Sequence, residues 1–265
     1  MFKSFEKSNP RFEVDGLRTV TLKSAALKGR GDITLWAPDG DVPEAVVILL
    51  HGVYGSHWSW IGQGGAHRTA ARLIATKATV PMVLAMPSDG LRGDGSGYIL
   101  HKDGVDFERW IVEEVPTAVR RALPQIGVNT PIFIGGLSMG GFGALRLGSK
   151  HYRQFKGISA HSSVTHLSQL SQFMEEKLVS TGSDEITECA LKSICHAGSH
   201  LPPLRFDCGT SDPLISHNRA LHESLNQKGI QHTYSEYSGG HDWDYWELHL
   251  ADTLKFFSGL VEAFP

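Results

Sequence analysis

The sequence predicts an α/β fold, with a mostly parallel central sheet and helices on both faces. Two patterns carry this prediction. Short apolar runs of strand length alternate with segments at helical spacing, the signature of parallel strands buried under crossover helices. Glycine is abundant, at 29 of 265 residues, and follows no repeating period. That excess fits many tight turns and close backbone approaches.

The elements follow in order. The opening third holds apolar or alternating runs at 18–22, 32–37 and 45–50, and its hairpin-like start predicts an antiparallel edge. A helical pattern covers 67–75, and an apolar run covers 80–85. Segment 87–104 reads as loop, with five glycines. Between 106 and 123, Phe107, Trp110, Ile111 and Ala118 lie at helical spacing, and Pro116 should kink or divide the helix. A buried strand at 131–137, a helix at 139–147 and a strand at 155–160 come next. The runs 204–206 and 232–237 read as the last strands. Segments 216–227 and 245–257 read as the last helices, with Leu250, Leu254, Phe257 and Val261 on one face. The rhythm breaks between about 161 and 201, where no strand pattern occurs. This stretch includes an amphipathic piece at 167–179 with Leu170, Phe173, Met174 and Leu178. It reads as a small helical cap inserted in a single domain spanning 1–265, since insertions over strand C-termini often cover a site.

Composition narrows the partners. Hydrophobic residues make up 41% and charged residues 20%, which argues against long disorder. Lysine plus arginine total 25 and aspartate plus glutamate 28, for a net charge of -3. That balance gives no electrostatic case for nucleic acid or an anionic membrane. No stretch approaches the ~18 consecutive apolar residues of a membrane span. The N-terminus lacks the apolar run of a signal peptide. Cys189, Cys195 and Cys208 are too few, and odd in number, for a disulfide scaffold. A cytoplasmic protein is expected, and the sequence leaves a homo-oligomer open. There is no dinucleotide fingerprint or phosphate loop, so no nucleotide cofactor is expected. No metal is expected either, because the groupings Cys195-His196 with His200, and His241 with Asp242 and His249, lack a recognised ligand spacing.

The chemistry centres on Gly136-Leu137-Ser138-Met139-Gly140, followed by Gly141. This pattern sits between an apolar run and a helical pattern, the context a nucleophile elbow requires. A serine in that strained turn needs neighbours without bulk two residues before and after it. The helix N-terminus beneath it favours developing negative charge. A serine also needs a base. Downstream of the last strand, only His241 and His249 remain. His241 lies in the glycine-rich loop Ser238-Gly239-Gly240-His241-Asp242-Trp243 and is the expected base; His249 falls inside the final helix and reads as structural. Asp207 and Asp212 follow the preceding strand. Asp212, in the turn, is the expected acid, and Asp207 should shape the loop through hydrogen bonds. The oxyanion donors should be the backbone N–H groups of Met139 and of Val53, in the loop Leu50-His51-Gly52-Val53-Tyr54-Gly55. Tyr54 and Trp243, next to the two halves of the site, are candidates for substrate binding. Tyr98 is a candidate to reach the site from its loop.

The joint pattern LLHGVYG, MPSDG, GLSMGGFGA, GTSDPL and GGHDW resembles the esterase family of α/β-hydrolases. That family includes esterase D (S-formylglutathione hydrolase), the antigen 85 mycolyltransferases, feruloyl esterases and tributyrin esterases. The similarity runs from about residue 30 to 255 and is closest to the tributyrin-esterase-like bacterial members. It implies the α/β-hydrolase fold and places Ser138, Asp212 and His241 on the family's triad positions, with Val53 and Met139 on its oxyanion donors. S-formylglutathione hydrolases typically carry a histidine before the nucleophile and a cysteine in the oxyanion loop. Here Leu137 holds the first place and no cysteine the second, which lowers that reading. The expected activity is serine carboxylesterase action on short-chain acyl esters, with a small-molecule ester as the partner. The alternatives are a thioester hydrolase, a feruloyl or acetyl carbohydrate esterase, and an inactive hydrolase fold that binds a ligand.

Overall fold

The computed structural model describes residues 2–90, 93–176, 178 and 185–263. Its strands are β1 (Phe5–Lys7), β2 (Leu17–Lys23), β3 (Arg30–Trp36), β4 (Ala45–Leu50), β5 (Met82–Pro87), β6 (Ile132–Leu137), β7 (Phe155–His161), β8 (Leu204–Gly209) and β9 (Thr233–Tyr237). They form one sheet in the order β1-β2-β3-β5-β4-β6-β7-β8-β9. Pairings from β1 through β3 to β5 are antiparallel, giving the expected edge. All later pairings are parallel.

The inner strands are buried on both faces, which is why they read as unbroken apolar runs. Their side chains still alternate between two layers. Val46, Ile48 and Leu50 join one core with Trp110, Ile111, Ala118, Phe142 and Leu145. Val47 and Leu49 join the other with Ala70, Leu73, Leu250, Leu254 and Phe257. The helices that cover these layers are α1 (Ser59–Gly62), α2 (Ala66–Ala75), α3 (Phe107–Arg109), α4 (Val115–Ala122), α5 (Met139–Lys150), α6 (Glu185–Glu188), α7 (Ala190–Ala197), α8 (Ile215–Gln227) and α9 (Trp243–Ala263).

Pro116 divides its helix as expected. The chain winds as a π-helical turn over Trp110–Glu114 between α3 and α4, and Pro116 sits in the first turn of α4. Proline lacks the N–H that would continue the ladder into the preceding turn, and the carbonyl of Val112, four residues before it, accepts from Gln154 Nε2 at 2.7 Å.

Between β7 and β8 lie a 3-10 turn at Leu167–Gln172, α6, α7 and a 3-10 turn at Gly198–His200. Among the described residues of the amphipathic piece expected at 167–179, only that first turn is helical; Lys177 and Val179 lie outside the described residues. His166 caps the turn with help from Gln169. Beyond Phe173 the backbone amides of Glu175 and Glu176 are claimed by Asp94, so helical bonding stops.

A charge cluster locks the face opposite α9. Glu108 accepts bonds from the wholly buried Arg146 (2.6 Å), Lys150 and His151 (both 2.8 Å). Burial alone would raise the Glu108 pKa, but the bonds from His151 and Lys150 and the charge of Arg146 outweigh it, so the carboxyl is held well below its usual range. The unfolded chain therefore takes up the Glu108 proton at a higher pH, near 4.3. This contribution to stability is full above that value and is lost as pH falls. In urea denaturation from pH 6 to 3, Glu108→Gln should flatten the loss of stability below about pH 5. Parallel pH profiles for the two proteins would disprove the coupling.

Candidate active site

Ser138 stands at the junction of β6 and α5 with φ 53° and ψ −117°. A non-glycine residue at positive φ is strained, and such strain persists only where the surroundings enforce it. Two glycines let them. A Cβ on Gly136 would overlap the carbonyl oxygen of Gly140. One on Gly140 would overlap Leu50 O and come within 2.6 Å of His51 O. The turn thus closes against the end of β4, and Ser138 Oγ is presented at the carboxyl edge of the sheet.

Two further loops meet it there. His241 Nε2 lies 3.0 Å from Ser138 Oγ, and His241 Nδ1 lies 2.9 Å from Asp212 Oδ2. These loops are pressed together by backbone: a Cβ on Gly209 would overlap Gly239 O, and Ser211 N–H donates to that same oxygen at 2.9 Å. Asp212 accepts a further bond from Leu214 N–H at 2.8 Å, and the Ser162 hydroxyl also bonds it. Burial pushes the Asp212 carboxyl up, but the His241 bond and charge, with the Leu214 and Ser162 donors, bring it below its ordinary value. An ionised Asp212 is acceptor-only, so His241 Nδ1 carries the proton toward it and Nε2 is free to accept from Ser138.

The loop after β4 lies against the serine. A Cβ on Gly52 would come 3.0 Å from Leu137 Cδ1 and 3.4 Å from Ser138 Cβ. Val53 N–H and Met139 N–H have no hydrogen-bond partner among the described residues. Their side chains both border Gly95, where a Cβ would come 2.6 Å from Met139 Sδ and 3.4 Å from Val53 Cγ1.

This fold has known counterparts. The family described as Putative esterase matches residues 24–257, most of the chain. The chain belongs to that esterase family. An acetyl esterase from Caldicellulosiruptor saccharolyticus is 28% identical over 232 residues, covering 80% of this chain and 82% of the relative. A solved ferulic acid esterase superposes with a TM-score of 0.78 at 23% identity, covering 97% of this chain and all of the other. An S-formylglutathione hydrolase from Agrobacterium tumefaciens gives 0.74 at 18% identity, covering 98% and 99%. The fold is the α/β-hydrolase fold, and by family the protein is a carboxylic ester hydrolase.

Within this esterase the remaining candidates fall in different places. Tyr54 is 62% exposed, at φ 57°, with its N–H on Asp94 O at 2.8 Å. Trp243 opens α9 and packs edge-on against Trp60 (5.6 Å) and Trp246 (5.3 Å). Trp246 is the one that meets the His241 ring, at 5.0 Å. Phe173 stacks on the same ring at 5.2 Å and 15°. Neither contact is visible from chain adjacency, although both residues were within reach as aromatics on amphipathic segments. Tyr98 does not reach the site. It is wholly buried, and its hydroxyl donates to His51 O at 3.0 Å, beneath the loop after β4.

Asp207 belongs to a separate buried cluster. It bonds His161 Nδ1 (3.0 Å), Arg205 Nη2 (2.8 Å) and Tyr245 OH (2.8 Å). Burial would raise its pKa, yet the charge and bond of His161 and the charge of Arg205 hold it below the ordinary value. His249 is structural, stacked on Tyr237 at 4.1 Å and bonded to Asp252 at 3.1 Å. No group of three or more metal-ligating side chains occurs among the described residues, nor is any described helix long and apolar enough to cross a membrane. Tyr98→Phe removes the donor to His51 O and leaves a buried carbonyl unpaired. It should lower stability by about 1–3 kcal/mol; an unchanged urea midpoint would show that the bond contributes nothing.

Proposed function

We propose that the protein is a serine carboxylesterase for short-chain acyl esters, with Ser138 as nucleophile, His241 as base and Asp212 as orienting acid. The observation that carries this reading is the continuous line from Ser138 Oγ to His241 (3.0 Å) to Asp212 (2.9 Å). As Ser138 Oγ bonds to the ester carbonyl carbon, His241 Nε2 takes its proton. The carbonyl oxygen becomes an oxyanion and is held by Val53 N–H and Met139 N–H. Each such donor contributes about 2.7–4 kcal/mol to the transition state. The tetrahedral species collapses, the carbon–oxygen bond to the alcohol breaks, and His241 returns the proton to the departing oxygen. Water then attacks the acyl-enzyme with His241 as base, releasing the acid and restoring Ser138. Asp212 keeps the imidazole in one tautomer and stabilises the imidazolium without taking its proton.

The segment between β7 and β8 acts as the cap of a single domain, and Tyr54 and Trp243 are offered as substrate contacts. Three unpaired cysteines fit a cytoplasmic setting. The small-ester reading is favoured over the thioester one by the acetyl esterase likeness and by Leu137 in place of histidine.

Ser138→Ala should lower kcat on p-nitrophenyl acetate by about 10^6-fold. A variant retaining a tenth of the activity would remove Ser138 from the mechanism. Labelling by a fluorophosphonate should modify Ser138, and its absence would favour a binding module. Asp212→Asn should cost about 10^4-fold in kcat, far more than Asp207→Asn; the opposite ranking would exchange their roles. Comparing rates on acetyl, feruloyl and S-formylglutathione substrates separates the three chemistries.

A further inference from the structure

We propose that Phe173 is a specificity-determining residue that selects the alcohol half of the ester and favours aryl over alkyl leaving groups. Asp94 acts as the positioning residue that holds Phe173 in place. This rests on the reading of Ser138, His241 and Asp212 given above.

Phe173 lies nearly parallel to the His241 imidazole, with ring centroids 5.2 Å apart and planes at 15°. The other neighbour of that imidazole is Trp246, edge-on at 85°. Trp246 is buried, and its indole N–H donates to Ser162 Oγ at 3.1 Å, so it occupies the inner side of the base. Phe173 is only half-buried and therefore forms the outer cover.

The segment that carries Phe173 is tied down at both ends. Leu170 and Met174 are buried in the core. Asp94 Oδ2 accepts the N–H groups of Glu175 at 2.8 Å and Glu176 at 3.0 Å. Asp94 N–H is returned to Glu176 Oε2 at 3.4 Å. The carbonyl of the same Asp94 holds Tyr54 N–H, next to Val53. Residues 173–176 thus run as a strap from the base loop to the oxyanion loop, with one carboxylate fixing its far end.

The chemistry assigns the covered space to the alcohol. In acylation His241 Nε2 protonates the departing oxygen, so that oxygen must come within about 2.6–3.2 Å of it. The substituent on that oxygen then begins one bond away from the imidazole, beside the ring that covers it. An aryl group offers a face for an offset stack with Phe173, whereas a small alkyl group offers little area. The acyl half points to the oxyanion donors and is unaffected.

Phenyl acetate and ethyl acetate test this, because both pass through the same acetyl-enzyme and differ only in the leaving group. In Phe173→Ala, kcat/KM for phenyl acetate should fall about 3- to 10-fold more than for ethyl acetate, the range of one aromatic contact. Phe173→Tyr should keep the wild-type ratio. Asp94→Ala should shift the ratio in the same direction and add nothing to it in the Asp94→Ala, Phe173→Ala double variant. If Phe173→Ala does not fold, Phe173→Leu serves as the variant, with the same expected direction. An unchanged ratio in a variant whose Ser138 is still labelled by the fluorophosphonate, at whatever rate, would overturn the proposal and leave the esterase reading standing. Failure of the unaltered protein to label would instead overturn both.

Discussion

The architecture depends on one close approach, that of the first turn of α5 to the end of β4. Gly140 sits where any Cβ would overlap Leu50 O. That contact forces the chain at Ser138 into positive φ, and it brings the loop at His51–Val53 against the serine. A side chain at position 140 would push Ser138 away from the loop after β4. Overpacking of this kind costs typically about 1–3 kcal/mol even where a core can relax, and here the opposing atoms are backbone on both sides.

Two buried carboxylates near the sheet edge divide their roles by their partners. Asp207 faces Arg205 and His161, so its charge is met by a resident cation, and it ties β7 and β8 to Tyr245 on α9. Asp212 is met by neutral donors, Leu214 N–H and the Ser162 hydroxyl, and by His241. No arginine or lysine is among these partners. A carboxylate already paired with arginine would stabilise an imidazolium less, which supports the proposed assignment of the acid to Asp212 and not to Asp207.

The legible parts of this molecule were those fixed by local sterics and chain order. The elbow at Gly136–Gly140 needs residues without bulk at set offsets, so five residues reveal it. That Asp212 and His241 lie on loops beside Ser138 follows from where loops fall after the last two parallel strands. The inner strands announced themselves as apolar runs because both faces are buried. Contacts between segments distant in sequence were not legible. Phe173 reaches His241 from the insertion, and Asp94 captures Glu175 and Glu176, through geometry that no spacing encodes. Tyr98 illustrates the same limit. Its place in a glycine-rich loop suggested reach toward substrate, but Gly143 makes room for its ring on α5, and the tyrosine turns inward. The strand β8 runs on through Asp207 to Gly209 for a related reason: the buried partners of Asp207 stabilise polar residues in a strand that composition alone would end at Phe206.

The described residues of the connection between β5 and α3 show how a segment outside the named strands and helices can brace the loop after β4. Its polar groups are met by specific partners in place of strand or helix bonding. Ser96 N–H goes to Asp89 Oδ2 at 2.9 Å, Tyr98 N–H to Ser96 Oγ at 3.0 Å, and Gly97 N–H to Met139 Sδ at 3.3 Å. Arg146, itself paired with Glu108, donates to Tyr98 O, and Trp110 Nε1 donates to Ser88 O at 2.7 Å. The loop in turn fixes His51 O through Tyr98 and Tyr54 N–H through Asp94. Both anchors flank Val53. Oxyanion donors are effective only when they need no reorganisation as charge develops. The pair of Glu108 on α3 and Arg146 on α5 is thus linked through Tyr98 to His51 O, two residues before the backbone N–H proposed as an oxyanion donor.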